Sequence, residues 1–394
     1  METILPSDLI LNILCRLPAD SVVRCKQVCK CKTWKDLLRQ PSFAQAHILH
    51  QLSQLNGNSF PSLPSHNASN IPIGLLVCFT FTLEPGNQIY YGEYDNQTRN
   101  KLRKINQTPT VGKSVIGSCK GLICFSENYR FYVREPSYIC NPITGEYVNI
   151  PQVIKRDNVV GYSEFIVCGL GYHPSINKYK IVKIHYTKHL GRVEVYTIGS
   201  GSGWRETGTT THSLRPRKGS SYRSMHDYRS PFGKIVSFDL AKENVYLLPS
   251  PHFVLSTSYY GNCFRLQVLG GCLCFIHEKR GECVDMWFLR KTGESSGFDL
   301  NEQDNYDLLS WIMEFSIPIE CNVEPCAITN SGEALEKLMD NDISYVFPHV
   351  NSFVSLKALG ERGSKFRKRY DVNPAPKEIF IGKQQRKDDV ETDA

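Results

Sequence analysis

Two stretches of this chain align without a gap at a distance of 98 residues. Residues 138–151 (YICNPITGEYVNIP) match residues 236–249 (VSFDLAKENVYLLP). Each reads as a strand, a turn opened by Asn141 or Asp239, a second strand and a terminating proline. A second pair lies 91 residues apart: 193–198 (VEVYTI), followed by Trp204, and 284–289 (VDMWFL), followed by Trp311. A third, 121–125 (GLICF) and 271–275 (GCLCF), lies 150 apart. A repeat constrains a fold strongly, because each unit must bury its apolar faces against copies of itself.

The offsets are near multiples of a unit of roughly 45 to 50 residues, the size of a kelch-like propeller blade. Residues 71–358 hold about six such units. They are short runs of β-branched and aromatic residues separated by Gly, Pro, Asn and Asp, helped by 20 Tyr and 19 Phe. Stacking around an axis buries both faces of each sheet and protects most edges.

The first fifty residues have a different period. Leu9, Ile10, Ile13, Leu14 and Leu17 share one helical face. Ser7 or Asp8 can cap that helix and Pro18 ends it. A second helix carries Val22, Val23, Cys25 and Val28, and a third Trp34, Leu37 and Leu38. After Pro41, Phe43 to Leu49 supply a further turn or two. Three or four short helices bury too small a core to be very stable alone, so a binding partner is expected to complete them.

These residues carry a resemblance. Leu5-Pro6, Asp8-Leu9-Ile10, Ile13-Leu14 and Arg16-Leu17-Pro18 are followed by residues 21–26 (SVVRCK), Val28-Cys29-Lys30, Trp34, and Pro41 with Phe43. Together they resemble an F-box over residues 3–48. Cys31, Lys32 and Thr33 stand before Trp34 and read as a two-residue insertion in that pattern. Residues 118–124, 138–151, 169–174, 235–240, 270–274 and 285–287 resemble the F-box-associated β-propeller domain of plant F-box proteins. The resemblance implies a box that docks on a Skp-type adaptor, through it a cullin and a RING protein, and a β domain that holds the protein to be ubiquitinated.

Composition fits this picture. The chain is 41% hydrophobic and 22% charged with a net charge of +7, so no nucleic-acid or membrane partner is expected. The odd number of cysteines (15) and their place in apolar runs suit reduced core thiols better than disulfides. No secretory signal is read at the N-terminus, and a location in cytoplasm or nucleus is expected.

The residues expected at the adaptor are Leu5, Pro6, Leu9, Ile10, Ile13, Leu14, Leu17, Pro18, Val22 and Trp34, about half of them facing outward and the rest in the core. The candidate cargo contacts are Arg215, Arg217, Lys218, Tyr222, Arg223 and Arg229, in a long basic loop that suits an acidic or phosphorylated motif. The bland reading of that loop is a solvated connection. An acidic loop at 293–305 lacks the Gly and terminal Glu of a calcium loop and reads as a surface insertion. Neither Cys25, Cys29 and Cys31 nor Cys272 and Cys274 have zinc spacing. No metal or cofactor is expected, and no catalytic motif is present.

The sequence thus predicts an α+β multidomain chain. A helical F-box at 1–50 and a linker at 51–70 precede an all-β propeller of about six or more kelch-like blades at 71–358. A disordered basic and acidic tail follows at 359–394. The function expected is that of a non-catalytic substrate receptor of an SCF-type ubiquitin ligase. The alternatives are an adaptor-binding protein outside any ligase and, as a third reading, a glycan-binding propeller.

Overall fold

The structure, a computed structural model, describes residues 6–28, 32–38, 40–56, 73–80, 87–94, 103–104, 113–129, 133–151, 165–187, 190–212, 235–248, 250–251, 263–269, 272–279, 282–291, 309–318, 323–328, 334–338, 343–366 and 381–384. Four helices come first: α1 (Ser7–Arg16), α2 (Ala19–Val28), α3 (Lys32–Leu37) and α4 (Pro41–Asn56). Helix α4 is longer than the turn or two expected after Pro41.

The described strands then form six open antiparallel sheets. The first holds β1 (Ile73–Thr80), β2 (Asn87–Tyr94), β3 (Arg103–Lys104) and, across β1, β20 (Ile343–Pro348). The second holds β4 (Lys113–Cys119), β5 (Leu122–Tyr129), β6 (Val133–Cys140), β7 (Glu146–Asn149) and β21 (Lys365–Phe366). In the third are β8 (Phe165–His173), β9 (Lys178–Thr187), β10 (Leu190–Thr197) and β11 (Trp204–Thr210). The fourth is the hairpin of β12 (Ile235–Asp239) and β13 (Asn244–Leu248). The fifth contains β14 (Cys263–Leu269), β15 (Cys272–Glu278), β16 (Cys283–Lys291) and β17 (Leu309–Pro318). The sixth contains β18 (Val323–Ile328), β19 (Ala334–Leu338) and β22 (Ile381–Gln384).

The repeats reappear as matched registers. Tyr138 pairs with Asn149, Ile139 with Val148 and Cys140 with Tyr147. Their counterparts pair likewise: Val236 with Leu247, Ser237 with Tyr246 and Phe238 with Val245. The turns match too. The Asn141 side-chain oxygen accepts from the amides of Ile143 (2.8 Å) and Thr144 (3.2 Å). Asp239 does the same for Ala241 (2.6 Å) and Lys242 (3.0 Å). Cys119 pairs with Leu122 across a two-residue turn, and Leu269 pairs with Cys272 at the equivalent place. Lys120 and Gly121 both have positive φ there (41° and 86°), the primed geometry that follows strand twist.

Two expectations are corrected. Trp204 and Trp311 were expected at matched positions. Trp204 opposes Tyr196, whereas Trp311 opposes Leu289, the counterpart of Ile198, so the tryptophans are two residues out of register. Residues 292–308 separate β16 from β17, where only 198–203 separate β10 from β11, and β17 pairs along β16 to its last residue. Within 359–394, expected to be disordered, the described residues include β21 on the edge of β7 and β22 on the edge of β19. An open sheet edge offers unpaired amides and carbonyls to any extended segment that reaches it.

The second, third and fourth sheets pack face to face in that order. Leu122, Cys124 and Ile139 of the second sheet share a core with Tyr179, Ile181 and Tyr196 of the third. The opposite face of the third, with Val182, Ile184 and Val195, meets Val236, Phe238 and Val245 of the fourth. Buried charge follows the same seams. Lys180 donates to Glu243 at 2.8 Å, and Arg205 reaches the same carboxylate at 2.6 Å. Burial alone would raise the Glu243 carboxyl; hydrogen bonds from Lys180 and Arg205 hold it below its ordinary value.

After β20 the chain becomes a strap, residues 349–361, laid over the second and third sheets. The Asn141 amide donates to the carbonyls of Ser352 (3.0 Å) and Val354 (2.7 Å). Ser355 donates to Glu146 (2.8 Å), and Glu361 accepts from the Gly199 amide (2.7 Å). Leu356 is fully buried in the shared core of these sheets.

Candidate functional site: the helical unit and its seat

Helix α1 begins at Pro6, whose carbonyl accepts from the amides of Leu9 and Ile10 (both 3.1 Å). No side chain caps it, so Ser7 and Asp8 do not play the part expected of them. Asp8 instead sits in the first turn, where its charge suits the helix dipole. The helix ends at Leu17, which is extended ahead of Pro18.

The apolar positions of α1 divide. Ile10 and Leu14 are 2% exposed and join Val22, Val23, Leu37, Leu38 and Phe43 in one core. Leu9 and Ile13, one position earlier in each turn, are 51% and 52% exposed. Pro6 and Pro18 are exposed, and Leu17 is half-buried. Of the ten residues expected at the adaptor face, about half of them turned inward, Ile10, Leu14 and Val22 lie in the core. In this fold they have no free surface to offer. Leu5 lies outside the described residues. Trp34 is half-buried against the core, and its carbonyl accepts from Leu38 at 3.0 Å.

Helix α4 supplies Phe43, Ala44, His47 and Ile48 to the interior, while Leu49 remains 54% exposed. His47 is buried and donates from Nε2 to the Leu17 carbonyl at 3.0 Å, tying the end of α1 to α4. A carbonyl only accepts, so Nε2 carries a proton. Burial, opposed by that hydrogen bond and assisted by His50, lowers the pKa of His47.

The interior of the helices is finished by residues from the β-sheets. Ile143, in the turn between β6 and β7, is fully buried in this core. Phe353 of the strap enters it as well. Its ring centroid lies 5.3 Å from that of Phe43 and 5.0 Å from that of His47, edge-on to the latter. Sequence reasoning missed both residues. Ile143 sits in a turn and Phe353 in an irregular segment, where no periodicity marks a core position. Leu49, one place off the buried face of α4, was seen only as a helix former.

Two matches to known families bear on this arrangement. A model described as the F-box associated beta propeller domain matches residues 77–298, and one described as the F-box domain matches residues 3–30. The chain belongs to the plant F-box proteins with an F-box-associated β-propeller domain.

Its relatives agree. An F-box/kelch-repeat protein of Arabidopsis thaliana is 23% identical over 303 residues, 74% of this chain and 76% of that one. An F-box protein of the same plant is 25% identical over 324 residues, covering 73% and 70%. A putative F-box protein from it is 26% identical over 362 residues, covering 84% and 78%. Among solved structures, Aleuria aurantia lectin superposes with a TM-score of 0.30 at 8% identity, over 70% of this chain and 95% of that one, too low to bear on the fold.

F-box domains bind Skp-type adaptors in SCF complexes, and proteins that join an F-box to this β domain are generally substrate receptors there. The F-box of this chain presents Pro6, Leu9, Ile13 and Pro18 along the outer side of α1 and its ends. The candidate cargo residues Arg215, Arg217, Lys218, Tyr222, Arg223 and Arg229, and the acidic loop at 293–305, lie outside the described residues. Cys274 is buried and Cys272 half-buried against the fifth sheet's core, where Arg290 donates to the Cys272 sulfur at 2.8 Å. Among the described residues no group of three or more His, Cys, Asp or Glu is placed to hold a metal ion. No described helix is long and apolar enough to cross a membrane.

Proposed function

We propose that this chain is the substrate-recognition subunit of an SCF-type ubiquitin ligase. The F-box docks on a Skp-type adaptor through Leu9 and Ile13, with Pro6 and Pro18 beside them. The six sheets act as the blades of a propeller that carries the cargo. The observation that carries this reading is the split of α1, which keeps two large aliphatic side chains about half exposed on a helix whose inner face is already satisfied. Exposed neighbouring aliphatics on one helix are the form an interface anchor takes.

In this role the protein performs no chemistry on its cargo. It raises the effective concentration of a cargo lysine near a charged ubiquitin carrier. Arg215, Arg217, Lys218, Tyr222, Arg223 and Arg229 are the proposed cargo contacts, and the complex works in the cytoplasm or nucleus. The test is reconstitution of the full chain with a Skp-type adaptor, a cullin and a RING protein. A complex of all four that transfers ubiquitin to a protein captured by the β domain supports the reading. A stable pair with the adaptor that never recruits the cullin favours a non-ligase interaction protein instead.

A further inference from the structure

We propose that Phe353 is a positioning residue that fixes the orientation of the F-box on the β domain, and that Asn141 holds it in place. Asn141 and Asp239 occupy equivalent turns, and each closes its turn with a side-chain oxygen that accepts two backbone amides. That task needs only an oxygen, and aspartate does it at 239. The additional property of asparagine at 141 is its NH2 group. Both of its hydrogens are used, on the carbonyls of Ser352 and Val354, the residues on either side of Phe353.

Asn141 is fully buried, so this clamp is shielded from water. The clamp and the anchor act along one line. Asn141 and Ile143 belong to the same turn; Ile143 enters the F-box core directly, and Asn141 aims Phe353 into it. Phe353 then contacts Phe43 and His47, both on α4. Helix α4 packs along α1, the helix that carries Leu9 and Ile13. A continuous chain of packed contacts therefore runs from the second sheet to the proposed adaptor face. Its role in ubiquitin transfer rests on the ligase reading; the mechanical coupling does not.

The experiment compares the full-length wild type with Asn141→Asp, Phe353→Ala and Phe353→Leu by hydrogen–deuterium exchange. Asn141→Asp keeps the turn oxygen but sets an acceptor against two carbonyls. The expected result is about tenfold faster exchange or more in the α4 residues 43–48 for Asn141→Asp and Phe353→Ala. Protection across β8 to β11 should be unchanged, with partial rescue in Phe353→Leu. Small-angle scattering should show a larger radius of gyration for the first two variants. Unchanged α4 exchange in Asn141→Asp would overturn the proposal, as would an even loss of protection over helices and sheets, which marks general destabilisation. Should Phe353→Ala fail to fold, Asn141→Asp still decides the matter. Neither measurement contains the adaptor. If the wild type fails to bind a Skp-type adaptor in a separate titration, the ligase reading falls and the coupling result stands.

Discussion

Lys183 leaves the third sheet to meet Glu135 of the second, its ammonium 3.4 Å from a carboxylate that has no exposed surface. Glu194, its cross-strand neighbour, completes the pairing at 2.9 Å, and the charge lies 4.5 Å from the centre of the Trp204 ring. A buried pair of this kind adds little net stability compared with apolar residues, but breaking it is costly. Lys183→Met is expected to destabilise the β domain by about 3–5 kcal/mol, because Glu135 then remains buried without its cation. Replacing Lys183, Glu135 and Glu194 together with Met, Leu and Gln should recover most of that loss, since both carboxylates that face the lysine are then removed. Urea unfolding of the three proteins checks both statements.

Leu9→Asp with Ile13→Asp should abolish adaptor binding, lowering affinity by about a hundredfold or more, and leave the thermal midpoint within about 2 °C. Both side chains are about half exposed, so the folded state loses little. Leu14→Asp makes a poor probe of the same question. Leu14 is 2% exposed, and a carboxylate there unfolds the F-box itself. A titration with the adaptor alongside circular dichroism separates the two cases.

Gly121 and Gly201 both have positive φ, at 86° and 72°. A Cβ at Gly121 would lie 1.8 Å from the Ser352 hydroxyl oxygen, whereas one at Gly201 meets nothing within 4 Å. Gly201→Ala therefore carries only the left-handed backbone cost, about 1 kcal/mol. Gly121→Ala adds displacement of the strap and should cost about 2–4 kcal/mol in all. Equal losses in a denaturant titration would show that the strap yields freely at Ser352.

Acid should weaken the fold through buried neutral histidines. Burial pushes His277 down to about 4, with Lys279 adding to the effect and Asp285 opposing it. Burial pushes His349 down to about 3 while it shares a hydrogen with Ser118 at 2.7 Å. The folded state resists protons that the unfolded chain takes up near its ordinary value of 6.5. Stability is thus full above that value and falls as the pH drops through it, until each folded value is reached. The slope is at most about 1.4 kcal/mol per pH unit for each histidine. Denaturation midpoints between about pH 7 and pH 5 measure it, and a flat profile would mean that these rings are protonated in the native state.

The repeats were legible because turn chemistry is local. Asn141 and Asp239 announce their turns in the sequence, and the registers of both hairpins follow from them residue by residue. The helices were legible from period alone, but their inner and outer sides were not. Helix α1 is apolar at Leu9, Ile10, Ile13 and Leu14, and only the position of its neighbours decides that Ile10 and Leu14 go in. The strap was invisible for a further reason. Phe353 meets Phe43 across most of the chain, and a single long-range contact leaves no pattern within a window of sequence. The strands β21 and β22 were missed because charged residues surround them, which reads as solvated tail until an open edge is there to receive it.

The long separation of Phe43 and Phe353 in the sequence has a consequence for biosynthesis. Phe43 is translated roughly 310 residues before the ring that covers it, an interval of about 15 to 60 s at 5–20 residues per second. Through that time the nascent helices carry an apolar gap, and β1 waits for β20 to pair with Val77 and Cys78. A message cut short before the strap therefore yields an F-box whose core lacks the ring that covers Phe43.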